Sequence, residues 1–325
     1  QDGEEWVAVL DGATGKELAR APWIARELFA DEGYNKTSRN QLGVAYLDGK
    51  TPAVIVMRGT YGRMMVEAFH VVGSRLERVW RFDNEALPRR FWGQGAHNCV
   101  IADVDGDGRD EICLGSLTLD DTGSILWTTG AGHPDAHYYG DIDPLRPGME
   151  LAYVIEPAKP QGGGLCCVDP VRGDFLWKLA EPSTHVHSMG ICSDLDVLHP
   201  GLEVYGADSE NDHQKTHRRW LFSAQGELLK KGDDVDLGFG KFTAFWDGDL
   251  QRELISGRVQ DYDGAAISER VEGAVIAVGD ILGDWREEIV VSVPGEIRIY
   301  LSTLPAMDRR VTLFHDSAYR MRQIG

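Results

Sequence analysis

One pattern recurs along the whole chain and limits the folds that it can adopt. An apolar run leads to an Asp, a short polar turn that contains Gly follows, and a second apolar run begins, often after Glu. Short apolar runs separated by turn residues are typical of antiparallel hairpins rather than helices. The six copies, called acidic hairpins below, are centred on Asp48, Asp103, Asp141, Asp194, Asp247 and Asp280.

A second hairpin pattern lies between the acidic hairpins. A strand, a turn with Gly and a strand that often ends in Trp are visible in LTLDDTGSILW and LCCVDPVRGDFLW. Two hairpins in about 45–50 residues are the signature of a four-stranded β-propeller blade.

For 325 residues this period predicts an all-β fold, a β-propeller of about seven four-stranded blades. A number of six or eight blades is also compatible with the period. A β-sandwich array and a β-helix are the rival architectures. Because no linker rich in Pro or Ser divides the chain, we predict a single domain over residues 1–325. The strand Trp6 to Leu10 is a candidate to complete the last blade.

The segment from Asp103 to Glu111 reads DVDGDGRDE and is the most specific motif. Carboxylates at alternate positions of a tight loop converge on one point, and a backbone carbonyl adds a further oxygen ligand. Clustered carboxylates repel one another strongly without a cation. We therefore expect Ca²⁺ here, and the alternative is an Asx turn with solvated carboxylates. The expected ligands are Asp103, Asp105, Asp107, the carbonyl of Arg109, and Glu111.

Two further acidic hairpins share one spacing. Each has two Asp residues separated by one position and a Glu seven residues after the second Asp. Oxygen donors of variable geometry favour Ca²⁺ over Mg²⁺, so we expect several mainly structural calcium ions. The expected ligands are Asp141, Asp143 and Glu150 in one hairpin, and Asp194, Asp196 and Glu203 in the other.

Composition excludes several classes of function. The formal net charge of −19 disfavours nucleic acid as a partner because the chain repels phosphate backbones. No apolar stretch is long enough to predict a membrane span. The five Cys residues include no CxxC pair, so we predict buried thiols rather than a zinc site or a disulfide framework. We expect a monomer.

The hairpins, in this order, resemble the rhamnogalacturonan lyases that have a calcium-rich β-propeller. The similar stretches span Val7 to Arg320. They are VAVLDGATGKEL, VAYLDGKTPAVIVMRGTYGR, GQGAHNCVIADVDGDGRDEI, GHPDAHYYGDIDPLRPGMELAYV, FWDGDLQREL, GDILGDWREEIV and LFHDSAYR. This resemblance implies a secreted, extracellular or periplasmic, calcium-binding enzyme that cleaves a rhamnose- and uronate-containing polysaccharide by β-elimination.

A polysaccharide lyase must neutralise the uronate carboxylate, remove the C5 proton and protonate the leaving oxygen. Arg or a cation suits the first task, and His and Tyr suit the other two. Segments that carry these residues enter the acidic hairpins from one side, so propeller symmetry predicts that they meet at one mouth. The candidate catalytic residues are His97, His133, His137, His187, Tyr61, Arg58 and Arg63.

Three other functions stay open at this point. The resemblance leads us to expect a basic cleft-lining stretch before DILGDWREE, where this chain has Glu-Arg-Val-Glu at 269–272. That difference favours a non-catalytic propeller that binds glycans or proteins. Abundant Asp and Glu also fit a glycoside hydrolase. A quinoprotein-like propeller leaves the acidic loops unexplained.

Overall fold

The structure is a computed structural model that describes residues 3–186, 190–209, 218–237, 242–306, 308–316 and 319–320. Helix is scarce in this part of the chain. Its one α-helix is α1, Tyr34–Thr37, and its 3-10 helices are Arg26–Glu32, Arg89–Phe91, Gly232–Asp234 and Leu313–His315. Within the described ranges, no helix is long and apolar enough to cross a membrane.

The described residues form seven antiparallel sheets. Five sheets have four strands, one has three and one has two. The first two strands are β1 (Trp6–Leu10) and β2 (Glu17–Pro22), followed by β3 (Asn40–Ala45), β4 (Ala53–Arg58), β5 (Met65–Val72), β6 (Arg75–Asp83), β7 (Gly95–Ala102), β8 (Glu111–Gly115), β9 (Leu117–Leu119) and β10 (Ile125–Thr128). The chain continues with β11 (Pro134–Gly140), β12 (Glu150–Ile155), β13 (Leu165–Val168), β14 (Phe175–Lys178), β15 (Gly190–Ser193), β16 (Glu203–Ala207), β17 (Arg219–Phe222) and β18 (Leu228–Lys231). The last strands are β19 (Phe242–Ala244), β20 (Glu253–Ile255), β21 (Arg258–Gln260), β22 (Ala266–Arg270), β23 (Ala274–Gly279), β24 (Glu288–Val293) and β25 (Glu296–Tyr300).

Strands that follow one another in the chain are neighbours in each sheet. The sheets are β1–β2, β3–β6, β7–β10, β11–β14, β15–β18, β19–β22 and β23–β25. Each of the six acidic hairpins joins the first two strands of a sheet, as the repeat predicts. In the described residues β1 pairs with β2 alone, so it does not complete the last sheet.

Tryptophans dock one sheet onto the next at three places. The indole nitrogen of Trp80 donates to the carbonyl of Asp121, that of Trp127 donates to Pro170, and that of Trp177 donates to Ala224, each over 2.8 Å. The turn beneath the Trp80 ring contains Gly123 at φ +78°, where a Cβ atom would lie 2.6 Å from the indole. Glycine is therefore required at this turn by both backbone conformation and close approach.

The described residues divide into two compact units. One comprises residues up to His137 together with Asp169–Phe175, and the other comprises Tyr138–Val168 and residues from Leu176 onward. Each unit has its own apolar core. In the first, buried Val7, Ile24, Phe29, Val56 and Met65 pack together. In the second, one core contains Tyr205, Leu221 and Leu254, and another contains Trp246, Ile289 and Val291.

Candidate active site and cation-binding turns

Four side chains from three separate segments of the first unit form a cluster, called the histidine cluster below. His97 Nε2 lies 3.0 Å from the hydroxyl of Tyr61 and 2.9 Å from Oδ1 of Asp135. His133 Nε2 lies 3.7 Å from the same Asp135 oxygen. The ring centroids of Tyr61 and His133 are 4.4 Å apart, and those of His97 and His133 are 4.7 Å apart. One carboxylate therefore faces two imidazoles, with a phenol beside them.

Local backbone geometry places these groups. Tyr61 lies in the turn between β4 and β5, where Gly59 at φ +89° closes so tightly that a Cβ would overlap the carbonyl of Arg63. His97 lies on β7, whose pairing with β8 shifts register between Gly95 and Val100. Asp135 lies on β11, and His133 is two residues earlier, so strand alternation puts both on one side.

Hydrogen bonding determines the tautomer of one imidazole. His133 Nδ1 donates to the carbonyl of Gly95, so the neutral ring presents the Nε2 lone pair toward Asp135. The side chain of Asp135 is almost fully buried, whereas that of His97 is 25% exposed. A buried carboxylate requires a positive or hydrogen-bonding partner, which a proton on His97 Nε2 or a bound cation supplies. The cluster therefore suits either proton transfer or the binding of a cation.

A cation lies beside the phenol of the cluster. Arg39 Nη2 is 3.4 Å from the Tyr61 hydroxyl, and the guanidinium carbon lies 5.7 Å from the centre of the Tyr61 ring. Its Nε is buried and has no hydrogen-bond partner in the described part of the chain. Arg39 therefore keeps donor capacity for an anion next to Tyr61.

The two arginines expected to bind a carboxylate are already engaged by the protein. Arg58 is fully buried, and its guanidinium bonds to Glu5 and to the carbonyls of Ile24 and Thr37. Arg63 pairs with Asp83 at 2.7 Å and with Glu85 at 2.8 Å, and it donates to the carbonyl of Leu28. Both geometries favour a structural role, because each guanidinium already has protein carboxylate and carbonyl partners.

His137 does not join the histidine cluster, although the sequence predicts a catalytic role for it. His137 is buried, and its backbone carbonyl accepts a 3.5 Å hydrogen bond from the Asn98 side chain. Burial lowers the pKa of its imidazole to about 4, so the ring is neutral near pH 7. His187 lies outside the described residues.

The Asp103 loop brings three of the predicted oxygen donors close together. Ligand oxygens of Asp103, Asp105 and Glu111 lie within 4.8 Å of one another. Asp103 also accepts backbone hydrogen bonds from Gly106 at 2.8 Å and from Gly108 at 3.0 Å, which tighten the loop. An all-oxygen donor set fits Ca²⁺.

The other two predicted ligands of this loop have different surroundings. Asp107 lies outside the group of converging oxygens, and its Oδ1 accepts from the Arg109 amide at 2.9 Å. The Arg109 side chain pairs with Asp121 at 2.9 Å.

A buried Glu recurs at the start of the second strand of the acidic hairpins. One oxygen of its carboxylate accepts from the backbone amide of a residue seven or eight positions earlier, as Glu111 does from Val104 at 2.8 Å. The same bond is made by Glu150, Glu203, Glu253 and Glu288. Burial, with repulsion from neighbouring Asp residues, raises the pKa of Glu111 to about 8, that of Glu203 to about 7 and that of Glu253 to about 8. A nearby cation would stabilise the ionised carboxylates and lower these pKa values.

The acidic hairpins are not equivalent. Ligand oxygens of Asp247, Glu253 and Asp261 also converge within 4.8 Å. In the described residues, the two predicted sets with identical spacing do not converge in this way. Those sets are Asp141 with Asp143 and Glu150, and Asp194 with Asp196 and Glu203.

Sequence reasoning missed two members of the candidate active site. Asp135 is not among the predicted catalytic residues, although the alternation of His133, Asp135 and His137 along one strand face is a recognisable signal. Arg39 had no sequence signal, because its proximity to Tyr61 depends on how α1 and the β4–β5 turn fold together.

The chain is similar to known proteins over nearly its whole length. A family model described as rhamnogalacturonan lyase family 11, C-terminal domain, matches residues 1–324. Over 98% of its length the chain is 38% identical to the rhamnogalacturonan endolyase YesW of Bacillus subtilis (strain 168), and it covers 52% of that protein. It is 33% identical to the rhamnogalacturonan exolyase YesX of the same organism and covers 56% of it.

Solved structures give the same result. The crystal structure of YesW superposes with a TM-score of 0.82 over 98% of this chain and 56% of that chain, and the crystal structure of YesX superposes with a TM-score of 0.86 over 99% and 57%. The chain thus spans about half the length of the relatives that it matches. With a family match that covers nearly every residue, the chain belongs to rhamnogalacturonan lyase family 11 and corresponds to the C-terminal domain of that family.

Proposed function

We propose that this chain carries the catalytic centre of a polysaccharide lyase that cleaves a rhamnose- and uronate-containing polymer by β-elimination. The observation that carries this proposal is the histidine cluster with Arg39 beside it, in a chain whose relatives are named rhamnogalacturonan lyases. Because one relative is named an endolyase and the other an exolyase, the mode of cleavage is left out of the proposal.

The elimination assigns a task to each group. Arg39 binds the uronate carboxylate and withdraws charge, which makes the C5 proton more acidic. The Tyr61 hydroxyl passes its proton to Nε2 of His97, and the resulting phenolate takes the C5 proton. The electrons of the C5–H bond form the C4=C5 double bond, the bond from C4 to its glycosidic oxygen breaks, and the departing oxygen takes the proton from His97. Positive charge beside a phenol oxygen stabilises the charge that it acquires when it releases its own proton.

The histidine cluster also has the donor set of a divalent cation site. Nitrogens of His97 and His133 and an oxygen of Asp135 lie within 4.8 Å of one another, and the His133 tautomer presents a lone pair. A divalent cation held there would supply positive charge near the uronate carboxylate. Asp135 lies 2.9 Å from His97 Nε2 and orients that imidazole, whereas the carbonyl of Gly95 orients His133.

Calcium binding at the acidic hairpins is a second part of the proposal. It is supported by the converging oxygens at the Asp103 loop and by the raised pKa of Glu111. We propose that the sheets are blades of a single β-propeller domain, on the strength of the repeat and of the superposition on lyase structures. Ions at the hairpins would stiffen that scaffold.

The setting of the enzyme completes the proposal. We propose a secreted monomer, extracellular or periplasmic, whose partner is an anionic polysaccharide rather than nucleic acid. With a net charge of −19, the chain needs local cations such as Arg39 to attract such a polymer.

Product analysis separates this function from the alternatives. The purified chain is incubated with rhamnogalacturonan and, separately, with homogalacturonan, with calcium and with a chelator. A lyase generates the ultraviolet absorbance of a C4=C5 unsaturated uronate together with new reducing ends. New reducing ends without that absorbance would indicate a glycoside hydrolase, and neither signal together with retained polymer binding would indicate a binding propeller.

A further inference from the structure

Two adjacent exposed arginines, Arg89 and Arg90, lie between β6 and β7 of the first unit and are called the arginine pair below. Within the described ranges, neither guanidinium pairs with a carboxylate or donates a hydrogen bond. The nearest carboxylates in the sequence are Asp83 and Glu85, and both are bound by Arg63, at 2.7 Å and 2.8 Å. The arginine pair therefore keeps its positive charge for an anion from outside the chain.

Aromatic rings support both guanidiniums. The guanidinium carbon of Arg89 lies 4.1 Å from the centre of the Trp92 ring. That of Arg90 lies 4.7 Å from the centre of the Phe91 ring. The Trp92 indole is itself held in place, because its Nε1 donates to the carbonyl of Leu87 at 3.1 Å. A guanidinium that stacks on a ring still presents the N–H groups of its edge, which match the two oxygens of a carboxylate.

A buried asparagine joins the segment of the arginine pair to the turn that carries Tyr61. Asn84 is fully buried, and its side-chain amide donates to the carbonyl of Phe91 at 3.0 Å and to that of Gly62 at 3.2 Å. The backbone amide of Gly93 also donates to Gly62, at 3.0 Å. A Cβ atom at Gly93 would lie 2.7 Å from the Tyr61 carbonyl, so the two segments are closely packed. The fold therefore holds the arginine pair on a segment that contacts the turn of the proposed catalytic tyrosine.

We infer that the arginine pair is a second carboxylate-binding site, which holds a uronate of the same polymer away from the bond that is cleaved. Arg39 lies beside Tyr61 and binds the uronate that reacts, whereas the arginine pair binds another uronate along the polymer. Two contacts on one polymer reinforce each other, and a short fragment cannot make both. The site therefore favours long anionic substrates. This inference rests on the proposed function and adds a determinant of substrate length to it.

Substrate length separates this site from the reacting one. KM and kcat are measured for rhamnogalacturonan polymer and for the shortest rhamnogalacturonan oligosaccharide that the chain cleaves. The double variant Arg89→Gln/Arg90→Gln is expected to raise the KM for the polymer by about tenfold, because two exposed charge contacts are lost. Its kcat and its KM for the oligosaccharide are expected to stay at the wild-type values.

The second unit supplies a matched control. Arg309 and Arg310 are also adjacent and exposed, and the guanidinium carbon of Arg310 lies 4.9 Å from the centre of the Trp285 ring. Arg309→Gln/Arg310→Gln changes the net charge by the same amount and is expected to keep the wild-type KM for the polymer. A rise equal to that of Arg89→Gln/Arg90→Gln would show a general effect of charge and would contradict the inference.

Binding without turnover tests the role of the carboxylates directly. Tyr61→Phe, which is expected to cleave slowly, is titrated by calorimetry with rhamnogalacturonan and with the same polymer after chemical reduction of its carboxylates. Adding Arg89→Gln/Arg90→Gln is expected to weaken binding of the native polymer by about tenfold and to leave binding of the reduced polymer unchanged. Added salt should decrease the difference, because the guanidiniums are exposed.

Three results would overturn the inference. The polymer KM could stay unchanged in Arg89→Gln/Arg90→Gln, KM could rise equally for polymer and oligosaccharide, or native and reduced polymer could lose affinity equally. If wild type yields no unsaturated product, the proposed function fails, and the titration alone decides the inference. The Tm of the double variant should match that of wild type, because neither guanidinium donates a hydrogen bond within the described residues.

Discussion

The histidine cluster and the acidic hairpins both crowd ionisable side chains together, but the two regions are built differently. A hairpin such as the Asp103 loop takes its oxygens from residues within one short turn. The histidine cluster takes nitrogen, phenol and carboxylate groups from segments near residues 61, 97 and 135. Local repetition therefore produces oxygen-only sites suited to holding the scaffold, and long-range folding produces the mixed site suited to proton transfer.

The sequence alone was sufficient to predict the acidic hairpins, which are formed by residues close together in the chain. Every acidic hairpin predicted from the repeat joins the first two strands of a sheet. The reason is physical, because an apolar run, a Gly-containing turn and a second apolar run determine a hairpin without help from the rest of the chain. The expected Trp-containing strands are also present, and the indoles of Trp127 and Trp177 donate to the carbonyls of Pro170 and Ala224.

Sequence was insufficient where partners come from far along the chain. The sequence suggests that Arg58 and Arg63 are substrate-binding cations. In the structure, Arg58 forms an ion pair with Glu5, and Arg63 forms one with Asp83. Their partners are 53 and 20 residues away, and no local pattern indicates such pairing. The proximity of Arg39 to Tyr61 could not be read from sequence for the same reason.

The largest expected effect comes from the carboxylate shared by both imidazoles. Asp135→Asn removes the negative charge beside His97 and His133, so the rate of unsaturated uronate formation should fall by about 10²–10⁴-fold. Asp174→Asn removes an exposed carboxylate elsewhere and serves as the matched control. A wild-type rate in Asp135→Asn would remove that residue from the catalytic centre.

The free energy of unfolding should depend on pH because of the buried His137. Because the pKa of His137 is about 4 in the folded chain and near 6.5 when unfolded, the unfolded state binds more protons between these values. The free energy of unfolding should fall as pH drops through this window, by up to about 3 kcal/mol from this group.

Denaturant titrations from pH 7 to pH 4 measure this effect. His137→Gln, if folded, should show a weaker pH dependence than wild type. His315→Gln removes an exposed imidazole and should retain the wild-type slope. Equal slopes for wild type and His137→Gln would contradict the prediction.

Substrate recognition should weaken when the cation beside Tyr61 is removed. Arg39→Gln abolishes a charge-assisted contact to the uronate carboxylate, so KM should rise by about 10–100-fold, with a smaller change in kcat. Arg75→Gln removes an exposed guanidinium that pairs with Glu77 and should leave KM unchanged. An unchanged KM in Arg39→Gln would mean that another group binds the carboxylate.

The smallest effect is expected at the scaffold. Asp105→Asn removes one of the converging oxygens, so the Tm measured in saturating calcium should fall by about 3 °C while the rate at saturating calcium is kept. Calorimetry with and without a chelator measures the stabilisation, with Asp174→Asn again as the control. A Tm that stays at the wild-type value in calcium would show that this carboxylate holds no ion.

The central claim is that the histidine cluster transfers protons while the acidic hairpins stabilise the scaffold. The most direct test of this claim is the elimination rate of Tyr61→Phe, compared with the Tm of the same variant in calcium. This substitution removes only the hydroxyl that faces His97. We predict a fall of about 10²–10⁴-fold in unsaturated uronate formation with an unchanged Tm. A wild-type rate in a folded Tyr61→Phe variant would contradict the assignment of proton transfer to the histidine cluster.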